Sequence, residues 1–186
     1  MLQSYPKQVV VKGGTRVILR PMVKEDRDKL KAFFREIPFE DRWYLKEDVA
    51  DPAVIDSWVD HLDYDRVLPI LAEVDGRIVA DATLHRRTFG ALKGTAKIRV
   101  VVGPEYRRRG LGTWMILDIL NIAMLGGVER LMAELVAGKE EAALRATEQF
   151  GFVREGVIRG GARDPEGNPY DLVIMVKSFP QKWGDF

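Results

Sequence analysis

Apolar positions along this chain follow two rhythms, one alternating and one helical, that take turns from end to end. Val9, Val10 and Val11, the turn Lys12-Gly13-Gly14-Thr15 and residues 16–19 read as an opening hairpin, closed by Pro21, which has no N–H for a sheet ladder. Over 24–37, Leu30, Phe33, Phe34 and Ile37 recur at helical spacing, with Glu25 and Asp26 in the first turn, where the helix dipole favours acids. Pro38 ends that run. Asp51-Pro52 starts a second helix reaching about Asp63, with Val54, Ile55, Trp58, Val59 and Leu62 on one face. Two strands, 67–74 and 77–84, flank Asp75-Gly76, a strong hairpin signal. A strand over 96–102 stops at Gly103-Pro104. Residues 111–125 are apolar nearly all round, which predicts a helix buried between a sheet and a further layer. A strand over 130–136, a helix over 140–150 capped by Gly151 and a strand over 152–159 follow. The polar run 164–169 is turn chemistry at nearly every position and returns the chain into a strand over 172–176, so the last two strands form a hairpin.

With no repeat or linker between them, these elements predict one α/β domain over residues 1–186 with a largely antiparallel sheet. The length, 186 residues of which 46% are hydrophobic, suffices for its core. Lys plus Arg total 29 against 28 Asp plus Glu, a net of +1, too little to hold the protein on nucleic acid or an anionic membrane. Any anion must be caught locally. The absence of cysteine removes disulfides, thiolate metal sites and every cysteine acyl-enzyme. The first residues lack a signal-peptide pattern, and the apolar stretch 114–125 is short and interrupted by Asp118 and Asn121, so a cytoplasmic protein without a membrane span is expected. There is no P-loop, no Gly-x-Ser-x-Gly and no His-Glu-x-x-His. His61 and His85, the only histidines, are unconnected in sequence. No metal is expected; His61 reads as a helix-face residue and His85 as structural.

The informative segment is Val100-Val101-Val102-Gly103-Pro104-Glu105-Tyr106-Arg107-Arg108-Arg109-Gly110-Leu111-Gly112-Thr113, a strand, a basic turn and two glycines opening an apolar helix. A helix N-terminus offers unpaired N–H groups and partial positive charge, which suit phosphate, and glycines at 110 and 112 let a ligand approach the backbone. Met115 stands where a dinucleotide fingerprint needs its third glycine, which argues against a Rossmann site. Three arginines without interleaved aromatics are a weak nucleic-acid signal, and no nucleic acid is expected as a partner. On the residues alone, a solvated basic turn before a core helix remains the alternative.

The hexapeptide from Arg107 to Gly112 resembles the pyrophosphate-binding Arg/Gln-x-x-Gly-x-Gly/Ala signature of the GNAT superfamily of acyl-CoA-dependent N-acetyltransferases, and Val102-Gly103-Pro104-Glu105-Tyr106 is similar to the run that usually precedes it. The order strand, helix, strand, helix, Gly151-Phe152 and final hairpin is similar too. The resemblance implies an α/β (α+β) fold, a central mixed, mostly antiparallel sheet of about seven strands flanked by about four helices. It implies acetyl-CoA as co-substrate, with Val100, Val101, Val102, Arg107, Arg108, Arg109, Gly110, Leu111, Gly112 and Thr113 as its binding residues. The strand N–H groups at 100–102 would be exposed where the neighbouring strand splays away, to bind pantetheine and polarise the thioester. A homodimer is left open. Residues 15–21, Glu25-Asp26, Phe33-Phe34-Arg35 and Ala133-Glu134-Leu135 are similar to the GNAT domain of bacterial protein-lysine acetyltransferases. That likeness favours a protein lysine as the amine acceptor and the stretch Phe39-Glu40-Asp41-Arg42-Trp43-Tyr44 as its entrance. The alternatives are a noncatalytic acetyl-CoA sensor and an enzyme acting on a small-molecule amine or a protein N-terminus.

A lysine acceptor arrives as an ammonium of pKa near 10.4, so freeing the amine at about pH 7.5 costs roughly 4 kcal/mol. A carboxylate near the acceptor is the usual remedy, and Glu134 is the candidate general base, with Glu73 and Asp81 behind it. Without cysteine, direct attack on acetyl-CoA is expected. Counted back from Gly151-Phe152, Glu140 stands where the family often has asparagine, and Thr147 where it often has a tyrosine acid. The tyrosine's role is therefore not carried over, and Thr147 is expected to pack on its helix face.

Overall fold

A computed structural model describes residues 2–180; Met1 and residues 181–186 of the expected domain lie outside it. One sheet runs in the order β1-β2-β3-β4-β5-β6-β8-β7, made of β1 Lys7–Val10, β2 Arg16–Pro21, β3 Val67–Val74, β4 Arg77–His85, β5 Thr95–Val102, β6 Arg130–Val136, β7 Val153–Arg163 and β8 Pro169–Ser178. Every neighbouring pair is antiparallel except β5 and β6, which are parallel. The helices are α1 Arg27–Glu36, α2 Phe39–Arg42, α3 Pro52–Asp60, α4 Leu111–Leu125 and α5 Glu141–Gln149. This is the mixed α/β fold that the resemblance implies, with eight strands against an expected seven or so and five helices against about four. Pro38, extended at ψ 148, cuts the one-turn α2 off from α1.

The turn between β3 and β4 shows why Asp-Gly was informative. Asp75 and Gly76 sit at φ 48 and 80, the left-handed pair that a two-residue turn needs to match the twist of its strands.

The helices cover the sheet on both sides. Ala96, Ile98, Val100 and Val102 of β5 join the core that α4 fills with Leu111, Met115, Ile119 and Ile122, and α5 adds Leu144 on that same face. On the other face Val101 packs with Leu30, Phe33 and Phe34 of α1, Ile55 and Val59 of α3, and Leu71 of β3. The alternation of β5 thus sends Val100 and Val102 toward α4 and Val101 toward α1.

Two expectations need correction. α4 has no second covering layer among the described residues, because Trp114, Leu117, Met124 and Leu125 are 42–61% exposed. Only one side of α4 meets the sheet. The polar residue turned inward is Asp118, whose carboxylate takes the Lys7 ammonium at 2.5 Å and the Tyr5 hydroxyl, so the segment around β1 satisfies the charge that burial would otherwise penalise. The last hairpin is also longer than expected, since register shifts at 154/156 and 158/162 absorb residues that read as a strand end. Its turn is held by Asp164, whose Oδ1 accepts from the Asn168 N–H at 2.8 Å.

Candidate active site

β5 and β6 start as neighbours and then part. Thr95, Ala96 and Lys97 face Arg130, Leu131 and Met132, and no pair follows. Beyond that point β5 stays with β4 as far as Val102 opposite Ala80, and β6 stays with β8 as far as Val136 opposite Leu172. A wedge therefore opens between residues 98–102 and 133–136. The Gly103 N–H donates to Val79 O at 2.9 Å, toward β4, so strand alternation turns the N–H groups of Val102 and Val100 the other way, into the wedge. On the far edge the Ala137 N–H donates to Asp171 O beside β8, which turns the amides of Val136 and Glu134 inward. Val101, by the same alternation, aims its N–H at β4 and offers the wedge no amide. Buried N–H groups left without a partner cost about 1–3 kcal/mol each, so this edge favours a ligand that carries acceptors.

The wedge leads to the start of α4. Gly110 is the residue before its first turn, at φ 85, a left-handed conformation that a side chain would strain. The Arg109 carbonyl is held by the Lys12 N–H at 2.9 Å, and the Trp114 N–H makes the first bond of the helix, to Gly110 O at 3.2 Å. Among the described residues the N–H groups of Gly110, Leu111, Gly112 and Thr113 meet no acceptor. A Cβ on Gly112 would find only Val102 Cγ2, at 3.6 Å, so the space over that amide row is open. Arg107, Arg108 and Arg109 surround it, all exposed. Arg107 Nε donates to Val102 O at 3.0 Å and its Nη2 meets Asp41 Oδ2 at 2.7 Å, while Arg109 lies over the Tyr106 ring at 5.5 Å. Of the ten residues expected to hold acetyl-CoA, Val101 is turned to β4 and Arg107 is engaged by Val102 O and Asp41; the amides of Val100, Val102, Gly110, Leu111, Gly112 and Thr113, with Arg108 and Arg109, form a path from strand edge to helix start suited to a pyrophosphate with an amide-bearing tail.

The carboxylates sort by place. Glu134 sits on β6 beside the wedge, on the face away from Leu131, Ala133 and Leu135, and its Oε1 accepts from Lys97 Nζ at 2.5 Å. Glu73 lies on β3, beyond β4 and β5 from the wedge. Arg20 binds it at 2.5 Å and holds its carboxyl below the ordinary value. Arg20 also grips Asp26 through both terminal nitrogens, at 2.7 and 2.6 Å, so the Arg20-Pro21 and Glu25-Asp26 motifs tie β2 to the start of α1.

Asp81 is buried on β4 between Leu71 and Val101, with Oδ1 unpartnered, and burial pushes its carboxyl up to about 7. The folded protein keeps that proton while the unfolded chain releases it near pH 4, so stability falls as pH rises from about 4 to 7. A span of that width corresponds to at most about 4 kcal/mol. In Asp81→Asn this slope is expected to flatten. Thermal unfolding at pH 5 and pH 8 checks it; an equal loss in both proteins contradicts the assignment.

Thr147 does not stand in for a tyrosine. Its hydroxyl is buried and donates to Leu144 O at 2.8 Å within α5. Thr147→Ala should lower kcat less than tenfold in steady-state assays. Glu140, just before α5, turns its carboxylate back so that Oε2 accepts from the Val136 N–H at 2.7 Å, and burial raises its pKa. Sequence reading passed over this residue as a mere departure from asparagine; its place at a helix start, where acceptor side chains are favoured, was the available signal. His61 Nδ1 lies 2.9 Å from Ser57 O at the end of α3. His85 Nε2 meets Thr83 Oγ1 at 3.0 Å, and burial lowers its pKa to about 4. Among the described residues no cluster could hold a metal ion, and no helix is long and apolar enough to cross a membrane.

A family model described as the acetyltransferase (GNAT) family matches residues 28–152, and the chain belongs to that family: it is an acetyl-CoA-dependent N-acetyltransferase. Over 85 residues, 46% of this chain and 51% of the relative, it is 31% identical to YwnH of Bacillus subtilis, provisionally named a phosphinothricin acetyltransferase. The match thus spans about half of that relative. Acetyltransferase PA5475 of Pseudomonas aeruginosa is 25% identical over 164 residues, covering 82% of this chain and 80% of that one. Among solved structures, yncA of Salmonella typhimurium, described with its cofactor acetyl-CoA, superposes with a TM-score of 0.76 over 91% of this chain and 98% of its own, at 16% identity. At that identity the likeness is one of fold.

Proposed function

We propose that this chain transfers the acetyl group of acetyl-CoA to a primary amine, a protein lysine by preference, in the wedge between β5 and β6. The observation that carries the reading is the wedge itself: two strands that pair for three registers and then part, leaving the Val100 and Val102 amides of β5 turned into the gap, continuous with an unpaired helix start. When bound, acetyl-CoA supplies the acetyl group as a thioester. The amides of Gly110, Leu111, Gly112 and Thr113 bind the pyrophosphate, aided by Arg108 and Arg109. The Val100 and Val102 amides receive the pantetheine and draw charge onto the thioester oxygen.

Glu134 accepts the proton of the incoming ammonium. Its place beside the wedge supports this role, and the incoming ammonium would take the site that Lys97 now occupies on the carboxylate. The entrance is framed by α2, fixed by Asp41 to Arg107 and by Trp43, whose Nε1 donates to Arg163 O at 2.6 Å on the final hairpin. Phe39 and Trp43 are about half exposed there, a surface suited to the stem of a lysine. A small-molecule amine is the second reading, favoured by the name of YwnH. Incubation with acetyl-CoA and a panel of proteins, lysine peptides, amino acids and polyamines, read by mass spectrometry, tests both. Acetylation of lysine peptides supports the first; acetylation of free amino acids or polyamines alone reverses the choice. Binding without release of free CoA on any amine would make the protein a sensor.

A further inference from the structure

The departing CoA sulfur needs a proton, and the side chain that would give it in many relatives is absent, since Thr147 spends its hydroxyl on Leu144 O. Seven residues earlier, two helical turns along the same face, stands Glu140. Its position is fixed by more than spacing. Oε2 accepts from the Val136 N–H, and that amide points into the wedge because the neighbouring Ala137 N–H is spent on Asp171 O at the β8 side. The carboxyl group therefore lies at the wedge's β6 edge. The charged groups that act on it are Arg99 of β5, across the wedge, and Asp41 of α2. The second oxygen of Glu140 meets no donor among the described residues.

We propose that Glu140 is the general acid of this enzyme, protonating the CoA sulfur as the thioester breaks. The proposal rests on the reading of the wedge as the thioester site. In the step, the acceptor nitrogen forms a bond to the acetyl carbon, the C–S bond breaks with its electron pair moving to sulfur, and the Glu140 carboxyl proton passes to that sulfur. Glu140 is left as carboxylate and regains a proton from solvent, while the acceptor nitrogen gives up two protons in turn through Glu134, one as the ammonium becomes amine and one as the amide forms. The products are the amide, CoA thiol and one released proton.

The surroundings suit a carboxyl that keeps its proton. Burial is the largest influence and raises its pKa, the Val136 N–H and the Arg99 guanidinium on β5 oppose that, and Asp41 of α2 adds to it. Arg107 is engaged with Asp41, and Lys139 lies over the Tyr170 ring at 4.6 Å. Glu141 is turned away, accepting from the Gly138 N–H at 2.8 Å.

The test is the thiol titration of CoA bound to the wild type and to Glu140→Gln, followed by thiolate absorbance. Gln keeps an oxygen for the Val136 N–H while removing the ionisable proton, and a CoA affinity within twofold of wild type confirms that the cap survives. A carboxylate beside the sulfur disfavours thiolate, so the bound thiol is expected to ionise about one pH unit lower in the variant. In parallel, kcat should fall three- to tenfold and the alkaline limb of its pH profile should disappear. Identical thiol titrations in the two proteins would overturn the proposal. The titration needs no amine, so it decides the role of Glu140 whichever acceptor proves correct.

Discussion

Glu134→Gln is expected to lower kcat about a hundredfold and to remove the acidic limb of the pH–rate profile. The acceptor ammonium lies roughly 4 kcal/mol from its reactive form at about pH 7.5, whereas CoA, with a thiol pKa near that of cysteine, leaves as thiolate against only about 1–2 kcal/mol. Proton removal is therefore the larger demand, and the carboxylate that meets it should dominate the ranking of variants. Glu134 has the position for this, beside the wedge and on the face away from α4. A base works only when ionised, so acid should slow the wild type, and a glutamine has nothing to ionise. Steady-state assays at saturating acetyl-CoA check the ranking. A larger loss in Thr147→Ala than in Glu134→Gln would place the base elsewhere.

Gly112→Val should weaken acetyl-CoA binding at least tenfold, about 1.4 kcal/mol, with little change in thermal stability. The two effects separate because of where the new side chain would stand. Its Cβ meets only Val102 Cγ2 within the protein, at an ordinary 3.6 Å, and otherwise finds open space at the residue whose own amide is free. Gly110→Val is the contrasting case, since φ 85 at that position strains any side chain and the fold itself should suffer. Calorimetry on Gly112→Val with unchanged affinity would remove the pyrophosphate from this helix start.

Much of this architecture was legible because local signals agreed with one another. Asp75-Gly76 gave the central hairpin, and Pro38 and Asp51-Pro52 bounded helices; Gly110 and Gly112 marked a helix start built to approach a ligand. What stayed hidden depended on partners distant in sequence. The inward turn of Asp118 requires Lys7 and Tyr5, more than a hundred residues away, so an all-round apolar reading of α4 missed its exposed side. The length of the last hairpin depends on bulges, which add residues without changing composition. Glu73 and Asp81 looked equivalent to Glu134 as strand carboxylates, and the folded sheet separates them from the wedge, Glu73 by two intervening strands and Asp81 by β5 and by its own burial. Glu140 was visible as a letter out of family pattern. Its bond to an amide facing the wedge was not, because that requires knowing which neighbour Ala137 has.

The central claim is that acetyl-CoA lies along one path, with its pyrophosphate on the start of α4 and its thioester between β5 and β6. Amide hydrogen exchange, resolved by residue with and without saturating acetyl-CoA, measures this directly. The expected result is slowed exchange at Val100, Val102, Leu111, Gly112 and Thr113, with Val101 and the exposed β7 strand unchanged. Unaltered exchange at these amides under saturation, or protection confined to another part of the sheet, would contradict it.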